Sequence, residues 1–294
     1  MKWPGLLLIL VLGAGVVGLQ AVYERQGGPL AATEENLLYV RSPEAIQRLA
    51  LSYSALLADL YWIRAVQHYG GTRLSKDPAA RYDRLYPLLD LTTSLDPRFR
   101  LAYLLGSIFL AEPPPGGPGR TDLAIALLEK GLRAEPQQWE YAQAIGFVHY
   151  WWEKDYEDAA AWFLRAADIP GAAEWLRPLA ATTLAQGGSR ASSRLLWQQI
   201  LSTAENGWYR NEAQRRLRQL DAMDQLDRLR AAVDAYRKAR GSPPGDWPDL
   251  RAAGYLRGTP VDPTGAPYRL AGGIVSLDPA SSLNPLPTEP VRVR

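Results

Sequence analysis

Few side chains in this sequence are equipped for catalysis, and their spacing argues against it. His68 and His149 are the two histidines of 294 residues, and there is no cysteine. Neither histidine has a second one four residues on, so no pair shares a helix face as a zinc site would need. No H-E-x-x-H or G-x-S-x-G run occurs either. His68 falls at a predicted helix C-terminus, where an imidazolium would meet the negative end of the helix dipole. His149 takes the place of a large packed aromatic. The carboxylate pairs Glu34-Glu35 and Glu157-Asp158 sit at predicted helix starts, where negative charge is favoured without any acid–base role. Asp59 lies in an otherwise apolar stretch, Leu56 to Trp62, and is expected to pair with Arg64 or bond a neighbouring helix. Asp262 stands in a tight turn, where a carboxylate caps its own backbone. No catalytic residue, no metal site and no cofactor is expected.

One motif points the other way. Gly13-Ala14-Gly15-Val16-Val17-Gly18 matches the dinucleotide-binding pattern and follows a strand-like run from Leu6 to Leu12. A nucleotide-dependent oxidoreductase would need a βαβ unit around it, with Glu34 or Glu35 as the ribose ligand. Gly27-Gly28-Pro29 cuts the following helix short, and no second buried strand appears. The same residues read better as a membrane helix. Trp3 to Tyr23 is free of charge, flanked by Lys2 and by Glu24-Arg25, and 21 residues of helix span about 30 Å of hydrocarbon. Trp3 and Tyr23 lie where interfacial aromatics belong. The strongest part, Leu6 to Leu19, is short enough for a cleaved signal peptide, but no clean small-x-small cleavage site follows it, so residues 1–25 are expected to remain as an anchor or uncleaved signal. Lys2 favours an N-in orientation, with the body outside the cytoplasm.

The remaining composition is that of a globular chain, 47% hydrophobic and 22% charged. Thirty-three basic against 31 acidic residues give a net charge of +2, which does not suggest a nucleic-acid binder. Ten Trp and 15 Tyr against four Phe favour surfaces that are apolar at one end and wet at the other.

The elements behind these residues are helices. From Pro43 onward apolar residues recur at helical spacing. Asp96-Pro97, Glu135-Pro136 and Ile169-Pro170 each close an amphipathic helix, 39 and 34 residues apart. Before the last two stands a small-large-small series, Ala124, Leu128, Gly131 and Ala159, Phe163, Ala166, and before the first a looser copy, Leu85, Leu89, Thr92. The paired first helices carry Leu105-Gly106 and Ile145-Gly146, and Lys154-Asp155-Tyr156 fits a polar-Gly-Asp-Tyr turn with Lys in the Gly place. Over about 180 residues this resembles the tetratricopeptide repeat family, whose period is 34 residues. A generic helical bundle is the plainer alternative. The sequence predicts four hairpins between residues 43 and 205, the first pairing a helix from Pro43 to His68 with one from Pro78 to Leu95. The Pro/Gly-rich turn from Pro113 to Gly119 accounts for the longer spacing, and a helix from Trp208 to Asp221 closes the array.

A different texture follows. Met223 to Arg240 reads as a helix with Leu226, Leu229, Val233 and Tyr236 on one face. Beyond Gly241 come Pro243-Pro244, Leu250, Gly254-Tyr255-Leu256 and Pro260-Val261-Asp262-Pro263-Thr264-Gly265-Ala266-Pro267-Tyr268. This order resembles the C-terminal half of type II secretion major pseudopilins, over about 55 residues. The resemblance implies a turn leading into a strand pair. The cleavable methylation motif of pseudopilins does not precede it, so the module would be a borrowed one.

The expected architecture is therefore mainly α. A transmembrane anchor (1–25) and linker (26–42) precede a tetratricopeptide-like superhelix of helical hairpins (43–221). A small α+β module (222–279) and a disordered Ser/Pro-rich tail (280–294) follow. The expected function is a non-enzymatic scaffold in a bacterial inner membrane, with its soluble part periplasmic or otherwise extracytoplasmic. The pseudopilin resemblance suggests a secretion or pilus-type assembly. In the repeat family the inner faces of first helices line a concave groove for partner segments. Projected here, that groove comprises Arg100, Tyr103, Ser107, Glu140, Gln143, Phe147, Tyr150 and Trp151. Its partners would be proteins, with the membrane held through residues 3–23 and neither nucleic acid nor a small-molecule substrate involved. A purely structural envelope protein, its groove filled by its own tail, is the remaining alternative.

Overall fold

The computed structural model describes residues 53–75 and 81–289, together with Ala14 and Gly18. Apart from those two residues, the anchor expected at 3–23, its glycine motif and the linker at 26–42 lie outside the described residues. Among the described residues no helix is long and apolar enough to cross a membrane.

The described chain is mainly helical. Four consecutive hairpins come first: α1 (Ser54–Leu74) with α2 (Leu85–Leu95), α3 (Arg100–Ala111) with α4 (Thr121–Ala134), α5 (Trp139–Val148) with α6 (Tyr156–Ala167), and α7 (Leu176–Gln186) with α8 (Arg190–Thr203). Then follow the long α9 (Gly207–Arg240), the short α10 (Trp247–Ala252), and a hairpin of β1 (Arg269–Ala271) and β2 (Ile274–Ser276). Successive hairpins also touch, α3 against α5 and α2 against α4, so the helices stack as a layered array.

Side-chain size explains the stacking. Leu85, Leu89, Thr92, Ala124, Leu128, Ala159, Phe163 and Ala166 are all fully buried, and Gly131 is buried with them. A β-carbon on Gly106 would come within 2.8 Å of Leu89, and one on Gly146 within 2.5 Å of the Phe163 ring. The glycines therefore let first helices approach second helices, while the large residues fill the space between. Aromatic packing joins the first two hairpins: Phe109 of α3 stacks on Tyr69 of α1 at 4.2 Å and on Trp62 at 6.1 Å. The opposite face of α1 leaves Leu56, Leu60 and Ile63 exposed, with Asp59 exposed among them.

Three elements differ from the sequence expectation. α1 runs past His68 through Gly70 and Gly71 to Leu74, so His68 is a buried residue within the helix rather than a terminal one. α9 is a single 34-residue helix that crosses the boundary expected between residues 221 and 222. Neither Gly nor Pro lies between Trp208 and Arg240, so nothing in the chain breaks it. Gly241 ends it in the left-handed conformation, at φ 74°. The third difference is the tail. From Ser281 to Glu289 it is packed, not free: Leu283 is 1% exposed, and Asn284-Pro285 is a cis peptide.

The C-terminal module builds its own core from Leu226, Leu229 and Val233 of α9 with Trp247, Leu250, Tyr268, Val275 and Leu283. Polar bonds fix it. The Trp247 indole donates to the Tyr268 carbonyl at 2.9 Å, and the Tyr268 hydroxyl donates to Gln225 at 2.8 Å. Burial pushes the Tyr268 phenol up to about 12, with the Asp262 charge acting in the same direction.

Candidate protein-docking trench

The side chains proposed for a groove separate into three groups. Arg100 and Glu140, at the starts of α3 and α5, form an ion pair across the two helices. The second carboxylate oxygen of Glu140 is buried without a hydrogen bond. Gln143 is half-buried on α5.

Tyr103 does not belong to an accessible surface. It is fully buried, its ring 5.2 Å from that of Tyr141 and packed against Gly131. Burial raises its phenol to about 12. Helix geometry gives the reason: Leu104 and Ile108 face the neighbouring first helix, whereas Tyr103 is rotated about 100° from Leu104, towards α4.

Ser107, Phe147 and Trp151 do come together, in a trench between α3 and α5. Leu104, Ile108, Glu112 and Pro113 form one wall, and Ala144, Val148 and Trp152 complete the other. It encloses about 700 Å³. Ser107 is nearly fully buried and donates its hydroxyl to the Leu104 carbonyl at 2.8 Å, so it lends the wall little polarity. Phe147 meets Phe163 edge-on at 5.1 Å and forms the floor towards α6. Ile108 is 45% exposed and Trp151 56%, at the open lip.

The orientation of Trp151 has a structural cause that sequence reading did not anticipate. After Val148 the helix widens into a π-turn, His149–Glu153. One extra residue in the turn rotates the following side chains, and such turns recur at functional sites. Trp152 packs inward against the buried side chains shared by α1 to α5, while Trp151 projects outward. Tyr150 turns away from the trench and donates to Gln186 at 2.8 Å, its ring 5.5 Å from Tyr156. His149 starts the π-turn with Nδ1 2.7 Å from the Glu153 carboxylate. Lys154 ends it in the left-handed region, at φ 59° and ψ 23°, with its ammonium 5.7 Å from the Trp151 ring. Asp155 then caps α6 by accepting from the Asp158 amide at 3.0 Å. The available signal was Tyr150-Trp151-Trp152 followed by a non-glycine residue in a glycine position.

Among the described residues no cluster of three or more His, Asp or Glu could hold a metal ion. The described residues contain one small antiparallel sheet, β1 with β2, and no βαβ unit. Asp262 is fully engaged by its own turn and by the tail. Its Oδ1 accepts from the amides of Thr264 (2.7 Å) and Ala266 (3.1 Å) and from the Thr264 hydroxyl (2.7 Å), and its Oδ2 accepts from the Ser281 hydroxyl. Burial raises its pKa, but these donors together outweigh burial and hold it below the usual carboxylate value.

Comparison of the chain with protein-family models, with curated proteins and with solved structures finds no match in any of the three.

Proposed function

We propose that this chain is a non-enzymatic scaffold of tetratricopeptide type, held to a bacterial inner membrane through residues 3–23, with its soluble part extracytoplasmic. In this reading the trench between α3 and α5 recruits a partner protein. The observation that carries it is an open, mostly apolar trench with exposed Ile108 and Trp151 at its lip, and with the Arg100–Glu140 pair one helical turn before its residues Leu104 and Ala144. Exposed aromatics beside well-packed apolar walls are the residues that dominate binding at protein interfaces. The charged pair beyond them would set the register of a bound segment. The fully buried small-large-small series supports the repeat assignment, and the Asp262 turn leading into the β1–β2 pair supports the likeness to pseudopilin modules. Together they favour a secretion or pilus-type assembly as the setting.

The test is site-specific photocrosslinking in membranes. A photoreactive residue at Ile108 should capture a defined partner, and Trp151→Ala should reduce that capture at least tenfold while helicity is unchanged. The same residue at Ile274, which is 72% exposed on β2 of the C-terminal module, should not capture it. Equal capture from both positions, or capture indifferent to Trp151→Ala, overturns the reading.

A further inference from the structure

The tail shows how a second surface binds an extended peptide. Residues 283–289 lie outside any helix or strand, along the ridge formed by α8 and α9. The fully buried Gln219 donates from one amide nitrogen to the carbonyls of Leu283 at 2.7 Å and Pro285 at 2.8 Å. Arg215 donates to the Asn284 carbonyl at 3.2 Å. Leu286 is half-buried where the array core meets the module core. Glu289 then receives both arms of Arg190, Nε at 2.5 Å and Nη2 at 2.6 Å.

The tail is held at its start through backbone carbonyls and at its end through side chains. Three carbonyls, one apolar side chain and one carboxylate are read. Pro285 and Pro287 have no backbone N–H, so the segment carries fewer donors that would otherwise need partners. The receptor side is also held by groups outside the tail: the Arg190 Nη1 is clamped by Asp224 at 2.9 Å and Asp227 at 2.7 Å. A planar fork fixed in this way suits bidentate capture of a carboxylate.

We propose that the α8–α9 ridge is a docking site for extended protein segments of the form apolar-Pro-x-acidic, and that Leu286-Pro287-Thr288-Glu289 is its resident occupant. Ser281 and Leu283 stay embedded in the module, so residues from Pro285 onward are the part that yields to a competitor. The ridge is separate from the trench, and this inference stands or falls without it. A foreign segment must compete with a tethered one whose effective concentration is on the order of millimolar.

The full-length chain tests this with a fluorescent peptide of residues 285–289. Wild type should bind it weakly. Leu286→Ala/Glu289→Ala, which loosens the resident tail, should bind it at least tenfold more tightly. Adding Arg190→Lys should reverse most of that gain, because an ammonium lacks the bidentate fork while keeping the charge. A peptide with Gln in place of its Glu should bind at least fivefold more weakly. Far-UV circular dichroism establishes that each variant is folded. Equal binding to wild type and tail variant, or no binding to the tail variant, overturns the proposal. So does binding indifferent to Arg190→Lys. Tails that exchange only between copies, seen as a concentration-dependent dimer that the peptide does not dissociate, overturn it as well.

Discussion

The helical array and the C-terminal module share α9, yet they are held together by different kinds of interaction. In the array each helix meets the helices next to it in sequence, and fit depends on volume: Gly146 is small where Phe163 is large. In the module a short hairpin, one turn and a tail are fixed on one half of a helix by directed polar bonds, centred on Asp262, Trp247 and Gln219. Volume-coded packing tolerates much sequence change so long as sizes are conserved. A polar network loses several bonds when one member is removed. The array should therefore fail by cavity or overpacking, and the module by loss of a single acceptor.

The largest expected effect tests the array. Phe163→Ala should destabilise it by about 3–5 kcal/mol, as for other fully buried aromatics. Gly146→Ala should cost about 1–3 kcal/mol by overpacking against the same ring. The two sites touch, so their effects should not add. Gly146→Ala in a Phe163→Leu background should be milder than in wild type, measured by urea denaturation. Additive costs would mean that packing at this contact is not set by volume.

Asp262→Ala should cost about 2 kcal/mol, because it orphans two amides and leaves the Ser281 hydroxyl without its acceptor. The loss should be local: amides of β1, β2 and the tail exchange faster, while those of α3 to α6 do not change. A pH dependence follows. A carboxylate whose folded pKa lies below its unfolded value of about 3.9 contributes stability that is complete above that value. That stability is lost as pH falls through the folded value. In wild type the hairpin amides should therefore lose protection below about pH 4. In Asp262→Ala that acid-dependent step should be missing.

The same contrast explains what could be read from the sequence. Leu85, Ala124, Phe163 and their companions were legible because neighbouring helices bury positions at fixed spacing, and residue size records the result. Tyr103 was placed on the wrong face because adjacent helical residues differ by 100°, and an aromatic suits a core as well as a groove. The tail was illegible for a different reason. Its partners Arg190 and Gln219 stand 99 and 64 residues away, and no local pattern encodes them. A Ser/Pro-rich segment lacks a helical or strand period of its own, so it reads as unstructured wherever distant side chains hold it. The π-turn left no periodic trace, since one additional residue in one turn does not alter the spacing on either side.

Lys154 is where the array departs from its own rule, and it gives the smallest and sharpest test. Its neighbours form a tight turn in which glycine would be unstrained, yet lysine occupies the left-handed conformation there. That conformation costs a side-chain-bearing residue about 1–2 kcal/mol. Part of the cost is offset by the ammonium over Trp151, worth about 0.5–1 kcal/mol at an exposed site. Lys154→Gly should relieve the strain and lose the cation contact, for a net gain of about 0.5 kcal/mol. Lys154→Ala should keep the strain and lose the contact, so it should fall below wild type by about 0.5–1 kcal/mol. Thermal melts of the two variants should therefore move in opposite directions. If they move together, the backbone at residue 154 is not strained. The cation contact alone would then account for lysine at this position, tying it to the exposed indole of the trench rather than to the turn.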